Sequence, residues 1–268
     1  MDIRNAVCTS MSAGRRHGLY RFSLSGCVFY VEAHPETDLK DSDYGFPPAI
    51  LACLTPRPLH CNWADIVSSN RVSWSKSNLP EVEQCWHPEK IDLRELEPIK
   101  YLTTRTCQVI YRSKLAVAKI ARFSFEIERL QRETNIYQLI EGKEIGPSFL
   151  GHLMEERRVM GLLVEYVPHV RPAIGDDIEL CREVLRKLHG LAILHNDLNK
   201  YNFLILETPK VFLCDFETCD ISADEEAFKR EEESLVTILE ENFRDSYDDW
   251  SYYGQERLKD MCLTDYRI

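Results

Sequence analysis

The chain has 268 residues, of which 44% are hydrophobic, and a formal net charge of −11 at pH 7. This hydrophobic content suffices for a buried core, and the acidic balance argues against tight binding to a nucleic acid. Ten cysteines without a CxxC pair argue against a structural zinc site, and no apolar run is long enough to span a bilayer. We therefore expect a cytoplasmic protein with reduced, mostly buried thiols and no membrane partner.

The first part of the chain predicts a β-hairpin followed by an irregular extension. The stretches GLYRFSLSG and CVFYVEAHP alternate apolar and polar residues on either side of Ser25-Gly26. Proline, tryptophan and polar residues are frequent from Asp38 to Glu97, so we expect loops and short helices there. Residues 1–98 are thus predicted to be an N-terminal extension, which either caps the following lobe or contributes to an acceptor pocket.

Residues 99–167 predict a sheet-rich lobe. The segments YLTTRT, CQVIYRS and KLAVAKIA indicate three short strands in an antiparallel meander. An amphipathic helix is predicted over Arg122–Ile140, where apolar residues recur at helical spacing and Gly142 follows. Two further strands, SFLGHLMEE and VMGLLVEYV, lead to Pro168.

Residues 168–268 predict a small helical lobe. A helix begins near Asp176, ends at Gly190 and leads into LAILHNDLNKYNFLIL. A hairpin, NFLIL with VFLCDFE, follows, and acidic helices are predicted from about Asp224 to Glu241. The expected fold class is α+β and bilobed, with a minimal C-terminal lobe and an N-terminal β-hairpin extension.

Two motifs in the sheet-rich lobe supply groups that suit phosphate binding. Lys119 lies in VAKI on the third strand, and Glu133 lies in QRETNIY on the following helix. Phosphoryl transfer requires a cation on the phosphates and a carboxylate that holds the cation in place. Glu126, which lies earlier on the same helical face, is the alternative partner for the lysine.

Two motifs in the helical lobe supply candidate metal ligands and a candidate base. HNDLNKYN contains His195, Asp197 and Asn202 at a spacing that directs a carboxylate to an acceptor and an amide oxygen to a metal ion. LCDFE contains Asp215, with Glu217 as a second carboxylate nearby. Carboxylate and amide oxygens are suitable ligands for Mg²⁺.

The order of these motifs resembles the protein-kinase-like superfamily over about residues 99–219. HND followed by DFE is most similar to the choline-kinase and aminoglycoside-phosphotransferase branch. HNDLNKYN also resembles the corresponding loop of small atypical kinases and small fungal kinase-like proteins. The resemblance implies a bilobed protein-kinase-like fold, ATP and Mg²⁺ as cofactors, and an acceptor that the sequence does not identify.

The resemblance also assigns roles by position. The residues that it implies for catalysis are Lys119, Glu133, His195 and Asp197, with Asp197 orienting or deprotonating the acceptor. Those that it implies for the metal ion are Asn202, Asp215 and Glu217. Those that it implies for the nucleotide are Lys119 and the backbone at Glu165 and Val167, where the fifth strand reaches the adenine-binding hinge.

Two departures from the family pattern stand out. The segment YLTTRTCQVIYRS has no glycine, although a Gly-rich loop normally brings backbone N–H groups to the phosphates. Thr103, Thr104, Arg105 and Thr106 are the candidate replacements for this loop, and of these Thr104 and Arg105 are assigned to nucleotide binding. No APE triplet follows Asp215, so a dedicated platform for peptide substrates is not expected.

Three functions therefore remain open from the sequence. The first is an ATP- and Mg²⁺-dependent phosphotransferase that acts on a small molecule or a narrow partner. The second is a pseudokinase-like binding module, which the glycine-free loop favours. The third is another group transfer on the same scaffold, such as nucleotidyl, glutamyl or aminoacyl-tRNA-dependent transfer in a specialised fungal pathway. Only the third includes a nucleic-acid partner, and the oligomeric state stays open.

Overall fold

The computed structural model describes residues 2–68 and 71–240 and has an α+β architecture. The described residues contain four α-helices and several β-sheets. The chain divides into two compact units, with the boundary between Pro80 and Glu81. We call the described residues before this boundary the first unit and those after it the second unit.

The first unit is built on a five-stranded sheet with the strand order β1-β2-β3-β4-β5. Its strands are β1 Val7–Ala13, β2 Gly18–Leu24, β3 Cys27–Ala33, β4 Trp63–Ser68 and β5 Arg71–Ser75. Neighbouring strands are antiparallel except β3 and β4, which are parallel and are joined through helix α1, Pro47–Cys53. The inner face packs around the rings of Tyr20, Phe22 and Phe29.

The predicted hairpin at Ser25-Gly26 is confirmed. It joins β2 to β3, and both turn residues have positive φ, 51° for Ser25 and 75° for Gly26. This backbone geometry matches the twist of the flanking strands, and glycine adopts it without a Cβ penalty.

The prediction of loops and short helices for Asp38 to Glu97 is wrong in part. The segment contains strands β4 and β5, whose five to six residues give little periodicity among neighbouring prolines. The two compact units divide between Pro80 and Glu81, and strand β6, Lys90–Asp92, within the predicted extension of residues 1–98, joins the sheet of the second unit.

The second unit contains a six-stranded sheet with the order β6-β10-β11-β9-β8-β7. Its strands are β6 Lys90–Asp92, β7 Glu97–Tyr101, β8 Thr106–Tyr111, β9 Lys114–Ile120, β10 Phe149–Glu155 and β11 Arg158–Glu165. The predicted antiparallel order of three successive strands is confirmed, since β7, β8 and β9 pair antiparallel in sequence order. The position of the first strand is wrong, because β7 ends at Tyr101 and most of YLTTRT forms the turn between β7 and β8. Gly161 on β11 allows close packing, because a Cβ there would lie 2.8 Å from the carbonyl oxygen of Lys119 on β9.

Three helices and two small sheets complete the second unit. The helices are α2 Ser124–Ile140, α3 Ile178–His189 and α4 Glu225–Glu240. The short strands are β12 Ile193–Leu194 paired with β15 Asp220–Ile221, and β13 Phe203–Ile205 paired with β14 Val211–Leu213. The predicted ends of α2 and α3 are confirmed within two residues. Residues 241–268 of the predicted helical lobe lie outside the described residues.

Within residues 2–68 and 71–240, no helix combines the length and the apolar character that crossing a bilayer requires.

Candidate functional site

Lys119, on β9 of the second unit, lies among three carboxylates. Its Nζ is 2.7 Å from Glu133 Oε2, 2.5 Å from Asp215 Oδ1 and 3.1 Å from Glu217 Oε2. The three carboxylates come from α2 and from the turn after β14, and their oxygens lie within 4.8 Å of one another. The lysine is 8% exposed, so its contacts with these groups are only weakly screened by water.

Burial and charge act in opposite directions on this cluster. Burial lowers the pKa of Lys119, but the charges of Glu133 and Asp215 outweigh burial and raise that pKa. Burial raises the pKa of Glu133, and the nearby ammonium offsets only part of this effect. Burial also raises the pKa of Glu217, but Lys119 and Arg105 outweigh burial and leave that pKa lowered. The lysine is therefore charged.

Glu126, the alternative partner for the lysine, has a different structural position. Its Oε2 accepts hydrogen bonds from the backbone N–H groups of Arg122 at 2.6 Å and Phe123 at 3.0 Å. It therefore caps the N-terminus of α2, where a negative charge also interacts favourably with the helix dipole. Glu133, about two turns further along the same face of the helix, is the residue that contacts Lys119.

Four backbone N–H groups of the turn between β7 and β8 donate hydrogen bonds within the turn itself. The N–H groups of Leu102 and Thr103 donate to the carbonyl oxygen of Thr106, at 2.9 and 3.1 Å. The N–H groups of Arg105 and Thr106 donate to Thr103 Oγ1, at 3.2 and 3.0 Å. These donors are therefore not available to a phosphate, unlike those of a Gly-rich loop.

Arg105 extends from this turn into the carboxylate cluster. It is paired with Glu217 through Nη2, and its Nε lies 3.7 Å from Glu126 Oε1. The side chain is only 16% exposed, and Nη1 is buried without a hydrogen-bond partner among the described residues. Thr104 is exposed and contributes its carbonyl oxygen to Arg122 Nη1 at 2.7 Å. Of the two residues of this turn assigned to nucleotide binding, the structure brings Arg105 alone to the cluster.

His195 is fully buried beneath the loop that carries Asp197. Its Nε2 lies 3.1 Å from the carbonyl oxygen of Cys214, and its own carbonyl oxygen accepts a hydrogen bond from Thr218 Oγ1 at 3.0 Å. Burial lowers the pKa of His195, which favours the neutral ring. The histidine thus links this loop to the segment around Asp215 and fixes the position of one relative to the other.

Asn202 and Asp197 are oriented by each other. Asn202 Nδ2 donates to the carbonyl oxygen of Asp197 at 2.8 Å, so Asn202 Oδ1 is the atom left to bind a ligand. The Asp197 carboxylate is exposed and accepts no hydrogen bond from the residues that the structure describes. The N–H of Cys214 donates to the Asn202 carbonyl oxygen at 3.0 Å, which places Asn202 beside the segment that leads to Asp215.

Asp215 is held in an unusual backbone conformation at the end of this segment. Its φ is +64°, in the left-handed region, which non-glycine residues rarely adopt and which often marks functional sites. Its side chain is 40% exposed, in contrast to the buried Glu133. Asp215 is therefore the member of the carboxylate cluster best placed to take a ligand from solvent.

Glu231 on α4 is a site residue that the sequence did not reveal. Its carboxylate accepts hydrogen bonds from the backbone N–H groups of His195 at 3.2 Å and Asn196 at 2.7 Å, and it pairs with His189 Nε2 at 2.7 Å. Asn196 has a φ of +62°, so these bonds stabilise a strained loop conformation. Glu231 lies in the acidic run EEES, where nothing in the sequence separates it from its neighbours.

Glu165 and Val167, the two predicted hinge positions, differ in whether their backbone N–H groups are already hydrogen-bonded. The N–H of Glu165 donates to the Ser148 carbonyl oxygen at 2.9 Å, and its carboxylate accepts from Ser148 Oγ at 2.8 Å. Val167 is largely buried, and its N–H makes no hydrogen bond within the described part of the chain. Val167 is thus the hinge residue with a free backbone donor.

No protein-family model matches the sequence, and no curated protein matches it significantly. The residues and their geometry are therefore the support for a function. They bring together the ammonium of Lys119, the guanidinium groups of Arg105 and Arg129, and three carboxylates, beside an exposed aspartate and an amide oxygen. Such a site can bind a divalent cation together with a polyanion, because both charge signs are present at short range.

Proposed function

We propose that the chain is an ATP- and Mg²⁺-dependent phosphotransferase with a bilobed protein-kinase-like fold, acting on a small molecule or a narrow partner. One observation carries the proposal. Lys119 is held by Glu133 next to Asp215, and the segment of Asp215 is hydrogen-bonded to the loop that bears Asp197 and Asn202. Phosphoryl transfer needs these groups in one place, because its catalysis consists mainly of positioning and charge neutralisation.

The side chains present fit a Mg²⁺ ion. Asp215 is partly exposed, only one of its oxygens contacts Lys119, and Asn202 presents an amide oxygen from the adjacent loop. Glu217 is a weaker candidate ligand, because its carboxylate is already paired with Arg105 and Lys119. Bound there, Mg²⁺ would supply positive charge against the phosphates of ATP.

The remaining residues have roles that follow from their positions. Lys119 and Arg105 provide the fixed positive charges for the phosphates, and Arg105 does so in place of the backbone donors of a Gly-rich loop. The free N–H of Val167 is the candidate donor to adenine. Asp197, exposed beside Asn202, orients or deprotonates the acceptor hydroxyl.

The experiment that tests the proposal is calorimetric titration with ATP in excess Mg²⁺, followed by product analysis. Asp215→Asn should abolish binding or weaken it strongly, since it removes a charged metal ligand. Asp220→Asn is the matched control, because Asp220 is an exposed aspartate nearby that contacts none of the cluster residues in the described structure. Asp197→Asn should keep ATP binding and lose transfer, because it alters only the acceptor side.

The products distinguish the possible reactions. Release of ADP that depends on Asp197 supports phosphotransfer, whereas release of pyrophosphate shows nucleotidyl transfer and contradicts it. ATP binding equal in the wild type and in Asp215→Asn would contradict the assigned metal site.

A pseudokinase-like binding module is the second candidate, and two observations favour it. Four N–H groups of the turn between β7 and β8 are bonded within the turn, and Lys119 pairs directly with Asp215. Such a module would show no turnover with any acceptor and no loss of function in Asp197→Asn. A screen of small-molecule acceptors for Asp197-dependent ADP release separates the two candidates.

A further inference from the structure

A second cluster of metal-ligating side chains lies in the first unit, on the sheet surface formed by β3 and β4. Glu32 on β3 and Asp65 on β4 are direct partners in the parallel register. His34 follows β3, and its Nε2 is 3.3 Å from Asp65 Oδ1. His17 precedes β2, and its Nε2 is 2.9 Å from Glu32 Oε1. We call these four residues the Glu32–Asp65 cluster.

Two in-register carboxylates on neighbouring strands repel each other and destabilise the sheet unless a cation compensates them. Neither Glu32 nor Asp65 pairs with a lysine or an arginine within residues 2–68 and 71–240. The ionic partners of Glu32 and Asp65 are the imidazoles of His17 and His34. The arrangement thus brings two carboxylates and two imidazoles together at a position where the fold requires the two strands to lie side by side.

We propose that the Glu32–Asp65 cluster binds a divalent metal ion of the zinc class. Ligand atoms of Glu32, His34 and Asp65 already lie within 4.8 Å of one another. Tetrahedral ligands at about 2.1 Å from zinc are about 3.4 Å apart, so side-chain movements of about an ångström are sufficient. All three side chains are partly exposed and can make such movements.

The types of ligand atom in the cluster determine which metal ion it prefers. Imidazole nitrogen favours zinc and neighbouring transition metals over Mg²⁺ and Ca²⁺, which prefer oxygen ligands alone. His17 lies outside the group of atoms within 4.8 Å of one another, but its Nε2 contacts Glu32 Oε1 at 2.9 Å, so it is the candidate fourth ligand after a side-chain movement. Trp63 Nε1 donates to Asp65 Oδ1 at 3.0 Å, an outer hydrogen bond that orients the carboxylate.

A metal ion bound here would stabilise the first unit. It would connect the β2–β3 hairpin to β4, which are joined in sequence only through the long segment that contains α1. Cross-links between segments distant in sequence reduce the entropy of the unfolded chain. Zinc would therefore raise the unfolding temperature of the first unit as well as neutralise the carboxylate pair.

The test is metal binding by the full chain after treatment with a chelator. Zinc affinity is measured by competition with a chromophoric chelator, and ligand type by the absorption spectrum of the Co²⁺-substituted protein. We expect His34→Ala and Asp65→Asn each to raise the zinc dissociation constant by more than about tenfold, since loss of even an outer-shell partner has that effect. His60→Ala, at an exposed histidine outside the cluster, should leave the constant unchanged.

Three controls make the result decisive. Asp65→Asn keeps the side-chain shape, so its circular dichroism should match that of the wild type while zinc affinity falls. Asp215→Asn should retain the zinc site, because it alters only the carboxylate cluster of the second unit. A Co²⁺ spectrum without a thiolate charge-transfer band is expected for nitrogen and oxygen ligands.

The proposal would be overturned by equal zinc affinity in the wild type, His34→Ala and Asp65→Asn. A thiolate band, or loss of zinc binding in Asp215→Asn, would also overturn it by placing the metal elsewhere. None of these outcomes bears on phosphotransfer, which is tested in the second unit with ATP.

Discussion

Glu231→Gln tests whether the loop that carries Asp197 is held by a single carboxylate. In the wild type, Glu231 accepts hydrogen bonds from two backbone N–H groups and pairs with His189 Nε2. Glutamine keeps the shape but replaces one acceptor oxygen with an NH₂ donor. At least one of the three groups that donate to Glu231 would then lie against an NH₂ group, which cannot accept its hydrogen bond.

The expected loss of stability follows from these contacts. A hydrogen bond to a charged group contributes about 1.5–3 kcal/mol, and a buried donor left without a partner costs a similar amount. The N–H of Asn196 is exposed and can bond to water instead, whereas the N–H of His195 and the ring of His189 are buried. We therefore expect Glu231→Gln to destabilise the second unit by about 2–3 kcal/mol, which lowers its unfolding temperature by roughly 5–10 °C.

The assay is thermal unfolding at pH 7, followed by circular dichroism, with Glu232→Gln as the matched control. Glu232 is the next residue on α4 and forms exposed ion pairs with Arg186 at 2.5 Å and Arg182 at 3.1 Å. Such pairs contribute about 0–1 kcal/mol, so the control should lose little. A loss in Glu231→Gln no larger than in Glu232→Gln would refute the anchoring role.

The pH dependence gives a second, independent readout. Burial raises the pKa of Glu231, but hydrogen bonds from His189, Asn196 and His195 outweigh burial and leave that pKa lowered. A carboxyl group with a lowered folded pKa stabilises the protein above its unfolded pKa, about 4.3, and the stabilisation disappears as pH falls through the folded pKa. The difference in stability between the wild type and Glu231→Gln should therefore be complete at pH 7 and shrink below about pH 4.

Three further predictions concern the stability of the second unit, measured by urea unfolding. Lys119→Met should cost about 3–5 kcal/mol, since it leaves Glu133 buried without its cation, and a second substitution, Glu133→Gln, should recover part of the loss. If the double variant is no more stable than Lys119→Met, the pairing is not the cause. Gly161→Ala should cost about 1–3 kcal/mol, because its Cβ would lie 2.8 Å from a backbone oxygen, whereas Gly175→Ala, with 3.9 Å to the nearest atom, should cost less than about 0.5 kcal/mol. Leu185→Ala should cost about 2–5 kcal/mol because the side chain is fully buried, and a smaller loss would contradict the packing of α3.

The regular elements of the second unit were predictable from the sequence because their signals are local. Helix α3 shows apolar residues at helical spacing and ends before Gly190, and half of the residues of β8 are β-branched. The shorter strands were not predictable, because β4 and β5 are too short to show a period and gain their pairing from distant residues. The division between the two compact units, between Pro80 and Glu81, likewise depends on tertiary contacts.

The contacts within the candidate site were less predictable than the strands, because they join residues that are distant in sequence. A motif order identifies which residue types are present, but the contact of Lys119 with Asp215 joins positions 96 residues apart and is fixed only by folding. Arg105 could be named as a candidate from its place in the turn, yet its pairing with Glu217 could not be foreseen. Glu231 stands among identical neighbours, and only the packing of α4 beside α3 selects it.

The attachment of the Asp197 loop to α4 has a consequence for dissecting the protein. A fragment that ends after Thr218 would include every recognisable motif, from Lys119 to Glu217, and would still lack the carboxylate of Glu231. A truncation guided by motif boundaries would thus release the Asp197 loop from its anchor, and its effect could not be attributed to a missing motif. The shortest useful fragment extends at least through the end of α4.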